Sequence, residues 1–105
     1  MSSWFEHFGF AEVLEYLLLG AYPLDADDVG MLESVGIERI LNLVEDSEYG
    51  PGEREAVAES LRAAGIEEHR LPFVDYGNLP VAWLERAVAL VSGWLAEESR
   101  CYVHC

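Results

Sequence analysis

The sequence predicts an α/β fold in which a mainly parallel central sheet is flanked by helices. Short apolar runs alternate with stretches of helical periodicity along the chain, and this alternation favours parallel strands joined by helices. The run at residues 37–44 is nearly continuously apolar after Arg39, which is typical of a strand covered on both faces. The length of 105 residues suits one domain, and we assign residues 1–105 to it.

The first part of the chain is predicted to begin with sheet. Residues 4–15 mix aromatic and polar side chains and indicate an edge strand or hairpin, and residues 16–22 indicate a short strand that Pro23 ends. Asp25 is the expected N-cap of a helix, and Gly36 marks the end of that helix. This part therefore supplies an edge of the sheet and the first of the flanking helices.

The second part is predicted to repeat the alternation of helix and strand. Its elements are a loop at 45–52, a helix at 53–64, a strand at 66–73, a loop at 74–79, a long helix from Pro80 and a last strand at 101–105. Gly65 favours the end of the first of these helices, and proline suits the first turn of the second. Chemistry in such sheets gathers beyond the carboxyl ends of the strands. Asp75 and Cys105 are both expected there.

The charge of the chain is strongly negative, with 20 acidic residues, no lysine and a net charge of −14. Such a surface repels nucleic acids and anionic lipids, so we expect no nucleic-acid and no membrane partner. Residues 1–10 have no basic region, and no apolar run is long enough to span a bilayer, so no signal peptide is expected. These features favour a cytoplasmic protein. They are compatible with a halophilic source and leave the oligomeric state open.

The two cysteines are expected to be free thiols. Cys101 and Cys105 both fall in the last predicted strand. At about 3.3 Å per residue, their Cα atoms lie roughly 13 Å apart, which is beyond disulfide reach. His104 is the only other metal-ligand type close by, so we expect no metal site.

The most informative residues are His104 and Cys105, which close an apolar strand, and the segment Leu-Pro-Phe-Val-Asp at 71–75, which precedes the long helix. This arrangement resembles the dual-specificity branch of the protein tyrosine phosphatase superfamily, in which a strand ending in Val-His-Cys leads into a loop of the form H-C-x5-R. Further segments match that branch in order: Leu18 to Gly20, Gly36 to Leu43, Leu71 to Asp75, and Pro80 with Trp83 and Leu84. The resemblance covers about residues 13–105.

The resemblance implies phosphomonoester hydrolysis through a phosphocysteine intermediate, without a metal or cofactor. It implies that Cys105 is the nucleophile, that Asp75 is the general acid, and that His104 orients the loop and tunes the thiolate. The expected substrates are phosphorylated proteins or small phosphomonoesters. Low-molecular-weight phosphatases have the cysteine before the acid, and rhodanese-like domains do not explain residues 71–75, so both are disfavoured.

The sequence departs from the family after the cysteine. The family's loop, its arginine and the following helices are absent from the chain, and every arginine of the chain precedes Cys105. The resemblance therefore implies an incomplete domain whose 105 residues alone are inactive. The alternative is a catalytically inactive fragment or a binding or structural module.

Each assigned residue also has a structural alternative. Cys105 can be a small core hydrophobe, and Asp75 can be a turn residue. Tyr76 or Asn78 can change which residue acts as the general acid, and Asp46 is a less favoured candidate for that role. Core packing is expected for Cys101, Trp83 and Trp94, and Asn42 is expected to bond neighbouring backbone.

The net charge leads to a prediction about salt. Because the Debye length falls from about 10 Å at 0.1 M to about 3 Å at 1 M, monovalent salt should screen the self-repulsion of the chain and raise its melting temperature. We would compare melts in dilute buffer and in molar KCl, with NaCl as a second salt, after checking that each melt is reversible. A flat or falling melting temperature would remove the self-repulsion argument.

Overall fold

A computed structural model describes residues 2–72 and 81–104 of the chain. Its helices and strands, in chain order, are α1 (Ser3–Phe8), β1 (Phe10–Leu14), β2 (Leu17–Gly20), α2 (Ala26–Ser34), β3 (Arg39–Asn42), α3 (Glu53–Ala63), β4 (Glu67–Arg70), α4 (Val81–Ala96) and β5 (Cys101–His104). A short 3₁₀ turn, Asp46–Glu48, lies in the loop before α3. The predicted loop at 74–79 and the predicted helix start at Pro80 lie outside the described residues. None of the described helices has the length and apolar character needed to cross a membrane.

The strands of the described part form one sheet in the order β1-β2-β5-β3-β4. β1 and β2 are an antiparallel hairpin at one edge. The β2–β5, β5–β3 and β3–β4 pairs are all parallel. This architecture confirms the predicted α/β fold, and it brings the carboxyl ends of four strands to the same edge of the sheet.

Helices cover both faces of the sheet because its central strands are apolar on both sides. One core lies under α2 and α3 and includes Val29, Leu32, Ile40, Leu61 and Tyr102. The other lies under α4 and includes Leu41, Leu71, Ala87, Trp94 and Cys101. The alternation of these residues along β3 and β5 fixes which side chains face which helix layer.

The start of the chain differs from the prediction for residues 4–15. Its first part is the helix α1, in which the Ser2 side chain accepts a hydrogen bond from the Phe5 amide and Gly9 ends the helix with a φ of 58°. Phe5 is buried in the α2/α3 core, so tertiary packing stabilises a helix too short to form alone. Only β1 keeps the predicted edge-strand conformation.

The N-cap prediction for Asp25 is confirmed, since its side chain accepts from the Asp28 amide. Asp28 itself is fully buried. Its carboxylate accepts hydrogen bonds from the Ser2 amide at 2.8 Å, the Ser2 hydroxyl at 2.6 Å and the Leu24 amide at 2.8 Å. One buried carboxylate thus joins α1 to the start of α2.

Replacing Asp28 by Ala should destabilise the fold by about 1–3 kcal/mol, because it leaves these backbone donors without their acceptor. Urea unfolding measures the loss. Glu33→Ala, on the exposed side of the same helix, is the matched control and should change the free energy of unfolding by less than about 0.5 kcal/mol. Equal effects of the two variants would contradict the bridging role of Asp28.

Candidate active site

A row of four residues ends the sheet at its carboxyl edge. In register across the strands, Gly20 lies beside His104, His104 beside Asn42, and Asn42 beside Arg70. Two residues earlier, Tyr102 and Ile40 face the α2/α3 core. Because side chains alternate along a strand, His104, Asn42 and Arg70 lie on that same face. We call them the polar row.

The strand end that carries His104 is held in place by Tyr102. The Tyr102 hydroxyl donates to the Ala21 carbonyl at 2.6 Å, just beyond β2. A Cβ added at Gly20 would lie 2.4 Å from that hydroxyl and 2.6 Å from the Gly9 carbonyl. Glycine is therefore required at the end of β2, because the lack of a side chain there lets the ends of β2 and β5 lie close together.

Asn42 is the centre of the polar row. It is fully buried, and its Oδ1 accepts from the Val44 amide at 2.8 Å. Its Nδ2 donates to the Tyr49 hydroxyl at 2.9 Å and to a Glu68 carboxylate oxygen at 3.0 Å. The predicted bond to neighbouring backbone is confirmed, and the side-chain bonds also join the loop after β3 to β4.

Two arginines complete this network. Arg54, in the first turn of α3, donates from Nη2 to Glu68. Arg70 pairs with Asp46 and donates from Nη2 to the Val44 carbonyl at 2.7 Å. The Arg70 guanidinium also lies 6.0 Å from the centre of the Tyr49 ring. These contacts fix the loop that follows β3 against the end of β4.

His104 is the least satisfied member of the row. The side chain is almost completely buried, with an exposure of 2%, and neither ring nitrogen has a hydrogen-bond partner among the described residues. Burial, and then the positive charges of Arg54 and Arg70, lower the pKa of His104 from 6.5 to about 3. The imidazole is therefore neutral at neutral pH, with one donor and one acceptor available.

Aromatic rings border His104 on the side of the β2–α2 connection. The Tyr22 ring lies 6.2 Å from the His104 ring and 5.6 Å from the Tyr49 ring. A surface cavity of about 620 Å³ is lined by Tyr49, Arg54 and Arg70 among others. Arg70 of the polar row thus borders a surface cavity, whereas Asn42 and His104 are buried.

Of the three predicted site residues, His104 is at the expected strand end. Cys105 and Asp75 lie outside the described residues, as do Tyr76 and Asn78. Their assigned roles stay predictions. Asp46 is largely exposed and paired with Arg70.

The other residues expected in the core are found there or against it. Cys101 is buried, its thiol donates to the Tyr16 carbonyl at 3.3 Å, and burial raises its pKa, all of which disfavour a nucleophilic role. Trp94 is buried, and Trp83 packs against the α4 core while its indole N–H donates to the Leu71 carbonyl at 3.1 Å. Within residues 2–72 and 81–104, no group of three or more His, Cys, Asp or Glu side chains is placed to hold a metal ion.

Sequence reasoning missed the roles of Arg54, Glu68, Arg70 and Tyr49. One signal was present: Glu68 and Arg70 are two residues apart in a short strand, which places both on one face. Nothing in the sequence pairs them with a residue of α3 or with the loop after β3.

The chain matches no known protein family's sequence pattern and no curated protein. Its fold is similar to several solved structures. A candidate phosphatase of the DUF442 group from Shewanella putrefaciens CN-32 has a TM-score of 0.75 and 20% identity, over 100% of this chain and 66% of that chain. The core catalytic domain of the PP-IP phosphatase SIW14 from S. cerevisiae has a TM-score of 0.73 and 20% identity, over 91% of this chain and 55% of that chain.

A third similar structure is the kinase associated phosphatase KAP, solved with its catalytic-site cysteine replaced by serine. It has a TM-score of 0.71 and 21% identity, over 84% of this chain and 55% of that chain. At these identities the similarity shows the fold alone, which the chain shares with these solved phosphatase structures. The chain spans between 55% and 66% of the length of these solved chains.

The buried state of His104 predicts a pH dependence of stability. Because its pKa is lower in the folded state, about 3 against 6.5, the unfolded chain binds a proton that the folded chain excludes. Stability from this residue is complete above about pH 6.5 and is lost as the pH falls towards 3, by up to about 1.4 kcal/mol per pH unit.

We would measure the free energy of unfolding between pH 4.5 and 7 for the wild type and for His104→Gln. The variant should show a smaller slope over this range. His7→Gln, at an exposed position on α1, should keep the slope of the wild type. An unchanged slope in His104→Gln would show that His104 is not held neutral by the fold.

Proposed function

We propose that the protein hydrolyses phosphomonoesters through a phosphocysteine intermediate, with Cys105 as the nucleophile and Asp75 as the general acid. The observation that supports this most directly is the position of His104. It ends β5, which is paired on both sides in the middle of a sheet of the protein tyrosine phosphatase fold. Cys105 is the next residue of the chain, and catalytic groups of α/β sheets are found beyond the carboxyl ends of the strands.

In the proposed reaction, the Cys105 thiolate attacks phosphorus and forms an S–P bond while the bond to the ester oxygen breaks. Asp75 gives its proton to the departing oxygen, so the alcohol leaves neutral. The Asp75 carboxylate then takes a proton from water, which attacks the phosphocysteine. The S–P bond breaks, inorganic phosphate leaves, and the thiolate is regenerated.

His104 contributes to this scheme as a neutral hydrogen-bonding group. Burial and the charges of Arg54 and Arg70 lower its pKa, which disfavours an imidazolium that would stabilise the thiolate by charge. Its unpartnered ring nitrogens can instead hold backbone groups next to Cys105. Orientation of the loop through these hydrogen bonds is the role that we propose for His104, and its expected tuning of the thiolate stays a prediction.

The resemblance implies a loop of backbone amides and an arginine after Cys105, which bind the phosphate oxygens. All six arginines of the chain precede Cys105, so residues 1–105 alone should not turn over. The second candidate function is that of a catalytically inactive fragment or a binding or structural module.

The proposed substrate is a phosphorylated protein or a small phosphomonoester, consistent with dual-specificity chemistry. The similar solved structures include a PP-IP phosphatase and a kinase associated phosphatase, so phosphatases of both descriptions share the fold. The acidic surface supports a cytoplasmic protein without nucleic-acid or membrane partners.

The full-length natural protein provides the test. Cys105→Ser should abolish hydrolysis of an aryl phosphate, and Asp75→Asn should slow hydrolysis of poor leaving groups by roughly 10²–10⁴-fold. Activated aryl esters should lose less, because their leaving oxygen needs less protonation.

Cys101→Ser is the control, since Cys101 is buried and bonded to backbone. It should keep the turnover of the wild type. Activity that survives Cys105→Ser, or that depends on Cys101 alone, would contradict the proposal. Full activity of Asp75→Asn on poor leaving groups would place the acid elsewhere.

A further inference from the structure

The N-terminal helix α1 lies on the same side of the sheet as the polar row. Its Phe5 side chain is buried in the α2/α3 core, which is the core that His104 faces. We propose that α1 is a strap that holds the Tyr22 ring over His104, and that Trp4 is the positioning residue that connects the two. The inference goes beyond the proposed hydrolysis, since it concerns described residues alone and does not depend on turnover.

Tyr22 is the ring that separates His104 from solvent. Among the described residues, the rings of Tyr102 and Tyr22 pair with that of His104, at centroid distances of 5.9 Å and 6.2 Å. Tyr102 is fully buried, whereas Tyr22 is partly exposed. The His104 side chain itself is only 2% exposed. Tyr22 is therefore the outer ring of this group and covers the imidazole.

Trp4 holds this cover through two contacts. Its indole N–H donates to the Tyr22 carbonyl at 3.1 Å, and its ring centroid lies 5.0 Å from that of Tyr22. The first contact fixes the backbone of the β2–α2 connection, and the second restricts the ring. The Tyr22 ring also packs edge-on against Tyr49 at 5.6 Å, and the Tyr49 hydroxyl accepts from Asn42. Tyr22 is thus held between α1 and the loop after β3.

The position of Trp4 depends on how α1 is anchored. A helix of six residues is too short to be stable alone. One anchor is Phe5, which is 1% exposed. The other is the buried carboxylate of Asp28, which accepts from the amide and the hydroxyl of Ser2. Because Trp4 lies between Ser2 and Phe5 in the chain, docking of the helix and placement of the cover are linked.

The cover has to be held because His104 would gain hydrogen bonds from water. Neither of its ring nitrogens has a partner among the described residues, and an unpaired buried polar group destabilises the folded state. Water that reached the ring would supply those partners. The contacts of Trp4 and Tyr22 oppose this local opening, so the loss of either side chain should admit solvent to His104 while the sheet stays folded.

The test is the rate at which diethyl pyrocarbonate acylates His104 at pH 7.5 in the full-length natural protein, measured by peptide mass spectrometry. The reagent attacks neutral imidazole. Burial, and then the charges of Arg54 and Arg70, lower the pKa of His104 to about 3. An uncovered imidazole with an ordinary pKa of about 6.5 is also mostly neutral at this pH, so a change in rate reports access. Tyr22→Ala should raise the rate about 10-fold and Trp4→Leu about 3-fold.

Matched variants separate the cover from a general loss of packing. Tyr22→Phe keeps the ring and should keep the wild-type rate. Phe8→Ala is the control for Trp4→Leu, because Phe8 is an exposed ring of the same helix that pairs with Trp4 and His7. Its His104 rate should stay close to that of the wild type. His69 of β4 is partly exposed and serves as the internal reference, with the same rate in every variant.

Cys101 reports global unfolding, since it is buried in the core on the other face of the sheet. Its alkylation by iodoacetamide should stay slow in every variant. Unchanged His104 rates in Tyr22→Ala and Trp4→Leu would overturn the inference, as would a Tyr22→Phe rate that rises to that of Tyr22→Ala. A rise at Cys101 that parallels the rise at His104 would overturn it too.

If Tyr22→Ala fails to fold by circular dichroism, the comparison of Trp4→Leu with Phe8→Ala decides alone. Acylation of His104 needs no turnover. The expected rates in a protein without phosphatase activity would therefore contradict the proposed function and leave this inference standing, and unchanged rates in an active enzyme would do the reverse.

Discussion

The site depends on the pairing of β5 between β2 and β3. This strand is hydrogen-bonded on both sides, and Cys101 and Tyr102 are buried in the two opposite cores. Because its flanks are fixed, the end of β5 has one position relative to the ends of its neighbours. The Tyr102 hydroxyl and the lack of a side chain at Gly20 then determine how closely the end of β2 approaches β5. His104 therefore ends a rigid edge of the sheet, as the proposed phosphate site requires.

The same edge holds two arginines, Arg54 and Arg70, each of which is paired with a carboxylate. Leaving buried guanidinium nitrogens without partners is costly, and a neutral imidazole beside them lacks partners among the described residues as well. Such costs are usual where a site is arranged for a ligand or for chemistry rather than for stability. The carboxylates of Glu68 and Asp46 keep the arginines in place. The tyrosines around His104 limit the access of water to its imidazole ring.

Much of the fold was predictable from the sequence because it is set by local patterns. The apolar run at 37–44 predicted a central strand, and Asp25, Gly36 and Gly65 predicted helix ends that the structure contains. The helix α1 was missed because it depends on Phe5 packing into a distant core, and the bridge from Asp28 to Ser2 joins residues 26 positions apart. The polar row was only partly predictable for the same reason. His104 was found through its position before Cys105, whereas Arg54 and Arg70 join it only through sheet register and the packing of α3.

The central claim is that a covalent phosphate forms on Cys105. The most direct measurement mixes the natural protein with a ³²P-labelled phosphomonoester, quenches the reaction in acid within milliseconds, and maps the label by peptide mass spectrometry. The account predicts a label on the peptide that contains Cys105, which Cys105→Ser removes and which accumulates when water attack is slowed in Asp75→Asn. A protein that turns over substrate without any label on Cys105 would contradict it.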